Sequence, residues 1–236
     1  MADEVRTRGA RVVRWAWLGR APYAELLSLQ EQIREGVIRG TECETLLLAE
    51  HPPVITLGRN ADPSNVLASP QQLQERGMPV FRVSRGGDVT VHGPGQLVGY
   101  PVLRMRDGVR AHVTAMGEAV IAVLAELGIP ADWRPSHPGI WLGEKKICAV
   151  GVHARRGVAI HGFALNVDVD LSLFSTIVPC GLREFGVTSI AEVLGASPSV
   201  HEMAQKAVHA FERCFGVQME RISVPDSRLQ IAIEDL

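Results

Sequence analysis

The chain is 236 residues long, 46% hydrophobic and 21% charged, which is typical of a soluble globular protein near the upper size limit of one domain. Its formal net charge of −2 gives no general attraction to nucleic acid or to a membrane surface. We find no run of 18 or more apolar residues to predict a membrane span, and the N-terminus lacks the apolar segment of a secretory signal.

Four cysteines are scattered along the chain without a C-x-x-C pair, at Cys43, Cys148, Cys180 and Cys214. This distribution argues against a zinc site and against a disulfide framework, and it suits a reducing compartment. The histidines show no tight ligand spacing either. We therefore expect a cytoplasmic protein without a bound metal.

The first part of the chain predicts short strands and helices in irregular order. Pro22 opens a helix whose apolar stripe ends near Gly40. Ser69 followed by Pro70 predicts the start of a short helix that ends at about residue 76. The predicted strands cover residues 12–18, 45–50, 54–57 and 80–84.

The second part predicts one long helix, a strand meander and further helices. From Val109 onward apolar residues recur at steps of three and four until Gly128, which is typical of an amphipathic helix. Ser189 and Ser199 are each followed three residues later by glutamate, the pattern of a capping box, and the second opens a helix. Three successive antiparallel strands are predicted over residues 139–142, 146–152 and 158–167.

These elements predict an α+β fold with a mixed, largely antiparallel sheet flanked by helices. We expect one domain over residues 1–236, with a core from about residue 15 to 217. Residues 218–236 are predicted to form a C-terminal tail.

A glycine-rich stretch over residues 85–101 is the first candidate for a functional segment. Val89 and Val91 alternate with polar Thr90 and His92, and the chain is predicted to fold back directly afterwards, at Gly93-Pro94-Gly95. The stretch is either a plain hairpin between two core strands or a loop whose backbone approaches a ligand. It does not match either standard phosphate-binding motif, since the G-x-G-x-x-G spacing and the G-x-x-x-x-G-K-[ST] sequence are both missing.

Five residues carry candidate chemistry, and one of them, His92, lies in this stretch. Cys180 lies between a proline and a glycine, outside any apolar periodic segment, and is either a nucleophile or a buried small hydrophobe. Lys145 and Lys146 lie between Gly143 and the strand residues 147–150, so alternation turns one of them inward if the other faces solvent. His92 and His161 each precede a glycine and either contact a substrate or satisfy backbone carbonyls.

Several separated blocks in the same order resemble the lipoyl(octanoyl) transferase family, which is related in fold to the catalytic domains of biotin and lipoate protein ligases. The resemblance covers about residues 15–217. The blocks that carry it are residues 85–98, Gly139-Ile140-Trp141 with Lys146-Ile147, residues 161–166 and Pro179-Cys180-Gly181.

The resemblance implies roles for individual residues. It implies that Cys180 is the acyl-thioester nucleophile and that Lys146, 34 residues before it (180 − 146), lowers the pKa of that thiol. Val91 and His153 depart from the family's pattern, which carries an aromatic and a basic residue there. The implied substrate-binding residues are Arg85, Gly86, Gly87, Asp88, Val89, Thr90, Val91, His92, Ala149, Val150, Gly151, Gly162, Phe163 and Ala164.

The implied activity is transfer of an octanoyl group from octanoyl-acyl carrier protein to a lysine of lipoyl domains, through an acyl-cysteine intermediate and without ATP or metal. The implied acceptors are the E2 subunits of 2-oxoacid dehydrogenases and the glycine cleavage H protein. An arginine group is either a steering patch for the acidic carrier or solvated surface: Arg82, Arg85, Arg104, Arg106 and Arg110.

Three other functions remain open at this point. The first is an ATP-dependent lipoate or biotin-type ligase, which would need no nucleophilic cysteine. The second is a cysteine hydrolase, in which water would have to reach the thioester. The third is a non-catalytic module that binds acyl groups or lipoyl domains.

Overall fold

The computed structural model describes residues 11–179 and 185–224, which form twelve strands and five α-helices. The strands are β1 (Arg11–Arg20), β2 (Thr45–Glu50), β3 (Val54–Leu57), β4 (Val80–Arg82), β5 (Val89–His92), β6 (Gln96–Val102), β7 (Asp132–Trp133), β8 (Gly139–Leu142), β9 (Lys145–Arg155), β10 (Val158–Asn166), β11 (Gly186–Val187) and β12 (Val217–Arg221). The helices are α1 (Tyr23–Arg39), α2 (Pro70–Glu75), α3 (Gly108–Glu126), α4 (Ile190–Leu194) and α5 (Val200–Phe215).

The main sheet has the order β12-β1-β2-β6-β10-β9-β8-β7, with β11 paired to β9. The pairs β12–β1, β1–β2 and β11–β9 are parallel, and the remaining pairs of this sheet are antiparallel. The α+β prediction and the antiparallel meander β8-β9-β10 are therefore confirmed. In this order β10 and β9 are the fifth and sixth of eight strands, so both lie inside the sheet and not at its edge.

The glycine-rich stretch does not form a hairpin. β5 belongs to a small second sheet of order β4-β3-β5, whereas β6 lies in the main sheet, so the turn between them crosses from one sheet to the other. At this turn Gly95 has φ 84°, its N–H donates to the Glu50 carboxylate at 2.7 Å, and a Cβ there would overlap the Asp168 carbonyl. A side chain at Gly95 is excluded by both its φ and its neighbours.

Two apolar clusters cover the two faces of the main sheet. On one face α3 and α5 pack over residues such as Leu46 and Phe163, and on the other α1 packs over Leu47 and Val98. α3 is long and apolar enough to span a bilayer by length and composition alone, but Met116, Ala119, Val120, Val123 and Leu124 are buried in the first cluster. In this structure α3 is a core helix.

The helix caps largely follow the sequence pattern. Ser69 and Ser199 form full capping boxes, as predicted for Ser199. The capping box predicted at Ser189 is only half formed. The Ser189 side chain accepts from the Glu192 N–H, but the Glu192 carboxylate binds Thr188 and Lys145 instead of the Ser189 backbone.

The predicted start of the tail is wrong. Residues 218–221 belong to β12, which pairs with β1 from Arg11↔Val217 to Trp15↔Arg221. The part of the predicted tail from Pro225 onward lies outside the described residues.

Candidate active site

A cavity of about 520 Å³ is lined by strands of both sheets, within the size range of small-molecule sites. It brings together Lys146 and thirteen of the fourteen predicted substrate-binding residues. These thirteen are Arg85, Gly86, Gly87, Asp88, Val89, Thr90, His92, Ala149, Val150, Gly151, Gly162, Phe163 and Ala164.

Val91 is the predicted lining residue that the structure places elsewhere. It is fully buried in the apolar cluster with Ile55, Leu57 and Phe174. Along β5 the side chains of Thr90 and His92 face the cavity, whereas that of Val91 points into the apolar cluster. Val89 belongs to the same cluster but also borders the cavity, at the start of the strand. The prediction that Val91 contacts substrate is therefore wrong.

Several lining residues were not among the predicted substrate-binding residues. Tyr23 comes from α1, Tyr100 from β6, and Val109 and Val113 from the first turns of α3. Tyr100 lies in the glycine-rich stretch, but the other three belong to helices and are separated by up to ninety positions (113 − 23), so only the tertiary fold identifies them. The remaining such residues are Asn60, Val98, Ser136, His137, Pro138 and Val152.

The segment at Arg85 closes over the edge of β9. The Gly86 N–H donates to the Val152 carbonyl at 3.0 Å, and a Cβ on Gly151 would lie 3.1 Å from the Gly86 carbonyl oxygen. The Arg85 guanidinium donates to the carbonyl and the hydroxyl of Thr56 at 2.7 and 2.8 Å. Arg85 thus fixes the cavity wall rather than serving as a solvated surface arginine.

Lys146 is the inward-facing lysine of the pair. Lys145 is exposed and pairs with Glu192 at 3.0 Å, whereas Lys146 is only 7% exposed. The Lys146 ammonium donates to the Pro138 carbonyl at 3.4 Å and lies 4.8 Å from the centroid of the Trp141 ring, a cation–π distance. The predicted alternation of the two lysines is confirmed.

Gly139 makes room for the stem of Lys146. It has φ 150°, and a Cβ there would lie 2.7 Å from the Cys148 carbonyl oxygen and 3.1 Å from Lys146 Cε. We expect Gly139→Ala to lower the free energy of unfolding by about 2 kcal/mol or more, because backbone must move. Thermal denaturation measures this change.

Gly143→Ala is the matched control. Gly143 also has positive φ, at 55°, but a Cβ there meets nothing within 4 Å. Equal losses in the two variants would contradict the steric explanation for Gly139.

A second, narrow cavity is lined by both Lys146 and Pro179, the last described residue before position 180. Its lining consists of Thr90, Gln96, Lys146, Ala149, Ala164, Asn166, Phe174, Pro179 and Val187. Pro179 directly precedes Cys180 in the sequence, and Cys180 itself lies outside the described residues. The described part of the predicted dyad is therefore Lys146 alone.

His92 is a neutral hydrogen-bond acceptor on the cavity wall. Burial, and next the neighbouring His51, lower its pKa to about 3. The Gln96 side-chain amide donates to the Val91 carbonyl and to Asn166, so its oxygen accepts from His92 Nδ1 at 2.7 Å. His92 Nε2 consequently carries the lone pair.

His51 and the cavity-lining residue Tyr100 form a second hydrogen-bonded pair with fixed donor and acceptor roles. His51 Nδ1 donates to the Ala21 carbonyl at 2.7 Å, so its Nε2 accepts from the Tyr100 hydroxyl at 2.6 Å. Burial lowers the pKa of His51 to about 4 and raises the pKa of Tyr100 well above its usual range. Both side chains are therefore uncharged at neutral pH.

His161 also lines the cavity, and it pairs with Val152, six residues along β9 from Lys146 (152 − 146). Its Nε2 lies 3.1 Å from the Ser84 hydroxyl, and burial lowers its pKa to about 3. His153, one of the two positions that depart from the family pattern, does not line the cavity and lies 3.4 Å from the Arg34 guanidinium.

Comparison with known proteins gives consistent results. Residues 22–212 match the family model of the lipoyl protein ligase A/B catalytic domain. An octanoyltransferase of Solibacter usitatus is 49% identical over 205 residues, 86% of this chain and 92% of the relative. One of Alkaliphilus metalliredigens is 44% identical over 202 residues, 84% of this chain and 93% of the relative.

Among solved structures, a crystal structure of lipoate-protein ligase A bound with ATP superimposes with a TM-score of 0.78. The sequence identity is 21%, over 94% of this chain and 92% of that one. At this identity the likeness shows the shared fold alone, and it confirms the ligase-like architecture predicted from the sequence.

Proposed function

The chain belongs to the lipoyl protein ligase A/B catalytic-domain family, and we propose that within it this enzyme is the acyltransferase that moves octanoyl groups onto lipoyl domains. The observation that carries the proposal is 49% identity to an octanoyltransferase over 86% of the chain. The cavity supports it, since a wall rich in valine, glycine and alanine suits an alkyl chain.

The proposed donor is octanoyl-acyl carrier protein, and the first step forms an acyl-enzyme. The Cys180 thiolate attacks the thioester carbonyl of octanoyl-phosphopantetheine, and the bond between that carbonyl carbon and the carrier sulfur breaks. Lys146 protonates the departing carrier thiolate, and octanoyl-Cys180 remains. The buried position of Lys146, in a cavity shared with Pro179, supports this role.

The second step transfers the octanoyl group to the acceptor. A lipoyl-domain lysine, deprotonated with help from Lys146, attacks the octanoyl-Cys180 carbonyl. The amide forms as the bond to the Cys180 sulfur breaks and the attacking nitrogen loses its second proton to solvent, which regenerates the thiolate. Converting a thioester to an amide is downhill, so the proposed cycle needs neither ATP nor a metal.

The proposed acceptors are the lipoyl domains of 2-oxoacid dehydrogenase E2 subunits and the glycine cleavage H protein, in a reducing cytoplasm that keeps Cys180 as a thiol. For docking of the acidic carrier, Arg106 and Arg110 are the best placed arginines. Both are exposed and flank Val109, which lines the cavity. Arg104 donates to the carbonyls of Val37 and Ile38, so we exclude it from the patch.

An ATP-dependent ligase is the second candidate, and the fold of lipoate-protein ligase A favours it. The two functions separate in one assay. With octanoyl-carrier protein, a lipoyl domain and no ATP or Mg²⁺, we expect the lipoyl domain to gain the mass of one octanoyl group less one hydrogen. Free octanoate with ATP and Mg²⁺ should give no product.

Product from free octanoate and ATP alone would overturn the proposal in favour of a ligase. Release of free octanoate with no labelled lipoyl domain would indicate a cysteine hydrolase. Binding of the carrier with no turnover in either arm would indicate a binding module.

A further inference from the structure

His161 has an unusual backbone conformation for a residue inside a strand. Its φ is 60°, in the left-handed region that non-glycine residues seldom adopt, although it pairs with Val152 within β10. The β6 pairing of β10 covers Phe163–Asn166, and continuing that register puts Pro101, which has no N–H, opposite His161. The His161 N–H instead donates to the Gln30 side chain at 2.9 Å.

This backbone conformation places a polar side chain against the cavity, and hydrogen bonds of that side chain do not offset the conformational strain. His161 is 3% exposed, and its Nδ1 has no hydrogen-bond partner in the described part of the chain. Gln30 Nε2 is likewise buried without a partner among the described residues. Strain combined with unsatisfied polar atoms is typical of residues retained for function.

The distance from the reacting end of the cavity to His161 follows from the positions of residues along β10. Lys146, Ala149 and Ala164 share the narrow cavity with Pro179, which marks the reacting end. Ala164 and His161 are three residues apart on β10, about 10 Å at the rise of a strand. The Arg85–Gly86 backbone closes the cavity at the same level, through the bond from Gly86 to Val152.

An extended octanoyl chain has nearly this length. Carbon–carbon bonds of 1.52 Å at tetrahedral angles advance about 1.25 Å each, so seven bonds span about 9 Å. Two further methylenes would drive the terminal methyl into the His161 imidazole. We propose that His161 ends the acyl channel and sets its length at eight carbons, an inference that rests on the proposed octanoyl transfer.

His161→Gly tests the proposal directly. Glycine adopts positive φ without strain and removes the imidazole, so the fold should tolerate the change. The enzyme is given equal amounts of octanoyl- and decanoyl-carrier protein with a lipoyl domain, whose products are resolved by intact mass. Each accommodated methylene favours binding by about fourfold, so the two extra methylenes should raise the decanoyl-to-octanoyl product ratio by about fifteenfold.

Arg156→Gly is the matched control. Arg156 is the other non-glycine residue with positive φ among those described, at 47°, and it lies in the β9–β10 turn away from the cavity lining. Its product ratio should equal that of the wild type. An equal rise in both variants would assign the effect to the backbone and overturn the proposal.

A second variant gives a result even if His161→Gly does not fold. Asparagine tolerates the left-handed conformation and is shorter than histidine, so His161→Asn should shift the ratio in the same direction by a smaller factor. Wild-type ratios in both soluble variants would overturn the role of His161. Absence of product from either donor in the wild type would instead overturn the proposed function itself.

Discussion

Cys180→Ala is expected to abolish the acyl-enzyme and to lower kcat/KM for octanoyl transfer by about a thousandfold or more, because alanine offers no atom to accept the acyl group. Intact-protein mass spectrometry after mixing with octanoyl-carrier protein measures the adduct directly. The wild type should gain the mass of one octanoyl group less one hydrogen, and the variant should gain nothing.

Two other cysteines define the specificity of this test. Cys43 is exposed, so Cys43→Ser controls for adventitious acylation of a surface thiol and should keep the full adduct. Cys148 is fully buried, and burial raises the pKa of its thiol to about 12, which leaves it unreactive at neutral pH. An undiminished adduct in Cys180→Ala would remove Cys180 from the mechanism.

Lys146→Met is expected to have the second largest effect. Methionine keeps much of the stem volume that packs against Gly139 and Trp141 but removes the ammonium. Without that charge the apparent pKa of the Cys180 thiol should rise by about one to two units. Transfer should also fall by about a hundredfold or more, because the proposed proton donor is lost.

Alkylation of the thiol against pH separates the electrostatic role from a structural one. A variant that is merely looser would lose activity with its alkylation midpoint unchanged. Lys145→Met is the matched control, since that lysine is exposed and paired with Glu192. A midpoint that moves in Lys145→Met and stays fixed in Lys146→Met would transfer the role to Lys145.

Local patterns in the sequence predict most of this fold. The helix that begins after Pro22 ends at Gly40, which has φ 78°, and the strands predicted over residues 45–50 and 54–57 are β2 and β3. Such elements are specified by residues near them in sequence, through side-chain periodicity, caps and turn residues.

Features that depend on distant residues were harder to predict. Nothing local shows that the strands on either side of Gly93-Pro94-Gly95 pair with different sheets, or that residues 218–221 pair with β1. Sheet partners are chosen by contacts between residues far apart in sequence, so an isolated strand pattern leaves its partner open.

The candidate site likewise combines residues that local sequence predicts with residues that only distant contacts bring together. Thirteen of the fourteen residues that the resemblance implies for substrate binding line one cavity of the structure. The exception, Val91, packs into the apolar cluster on the other side of β5, where Val89 also lies although it borders the cavity too. Tyr23 has no motif around it, and it belongs to the cavity because α1 meets β6 at the cavity wall.

The pairing of β12 with β1 has a consequence for synthesis of the chain. β1 precedes every other described strand in the chain, yet one of its edges stays unpaired until residues 217–221 emerge from the ribosome. An open strand edge is a template for association with other nascent chains, so the protein is exposed to that hazard while the roughly 200 residues between the two strands are made. Once in place, β12 is the outermost strand on this side of the sheet among the described residues, a strand of five residues with exposed Gln218, Glu220 and Arg221. Charged side chains on a short strand discourage further pairing, so the strand that completes the pairing of β1 also protects the folded sheet.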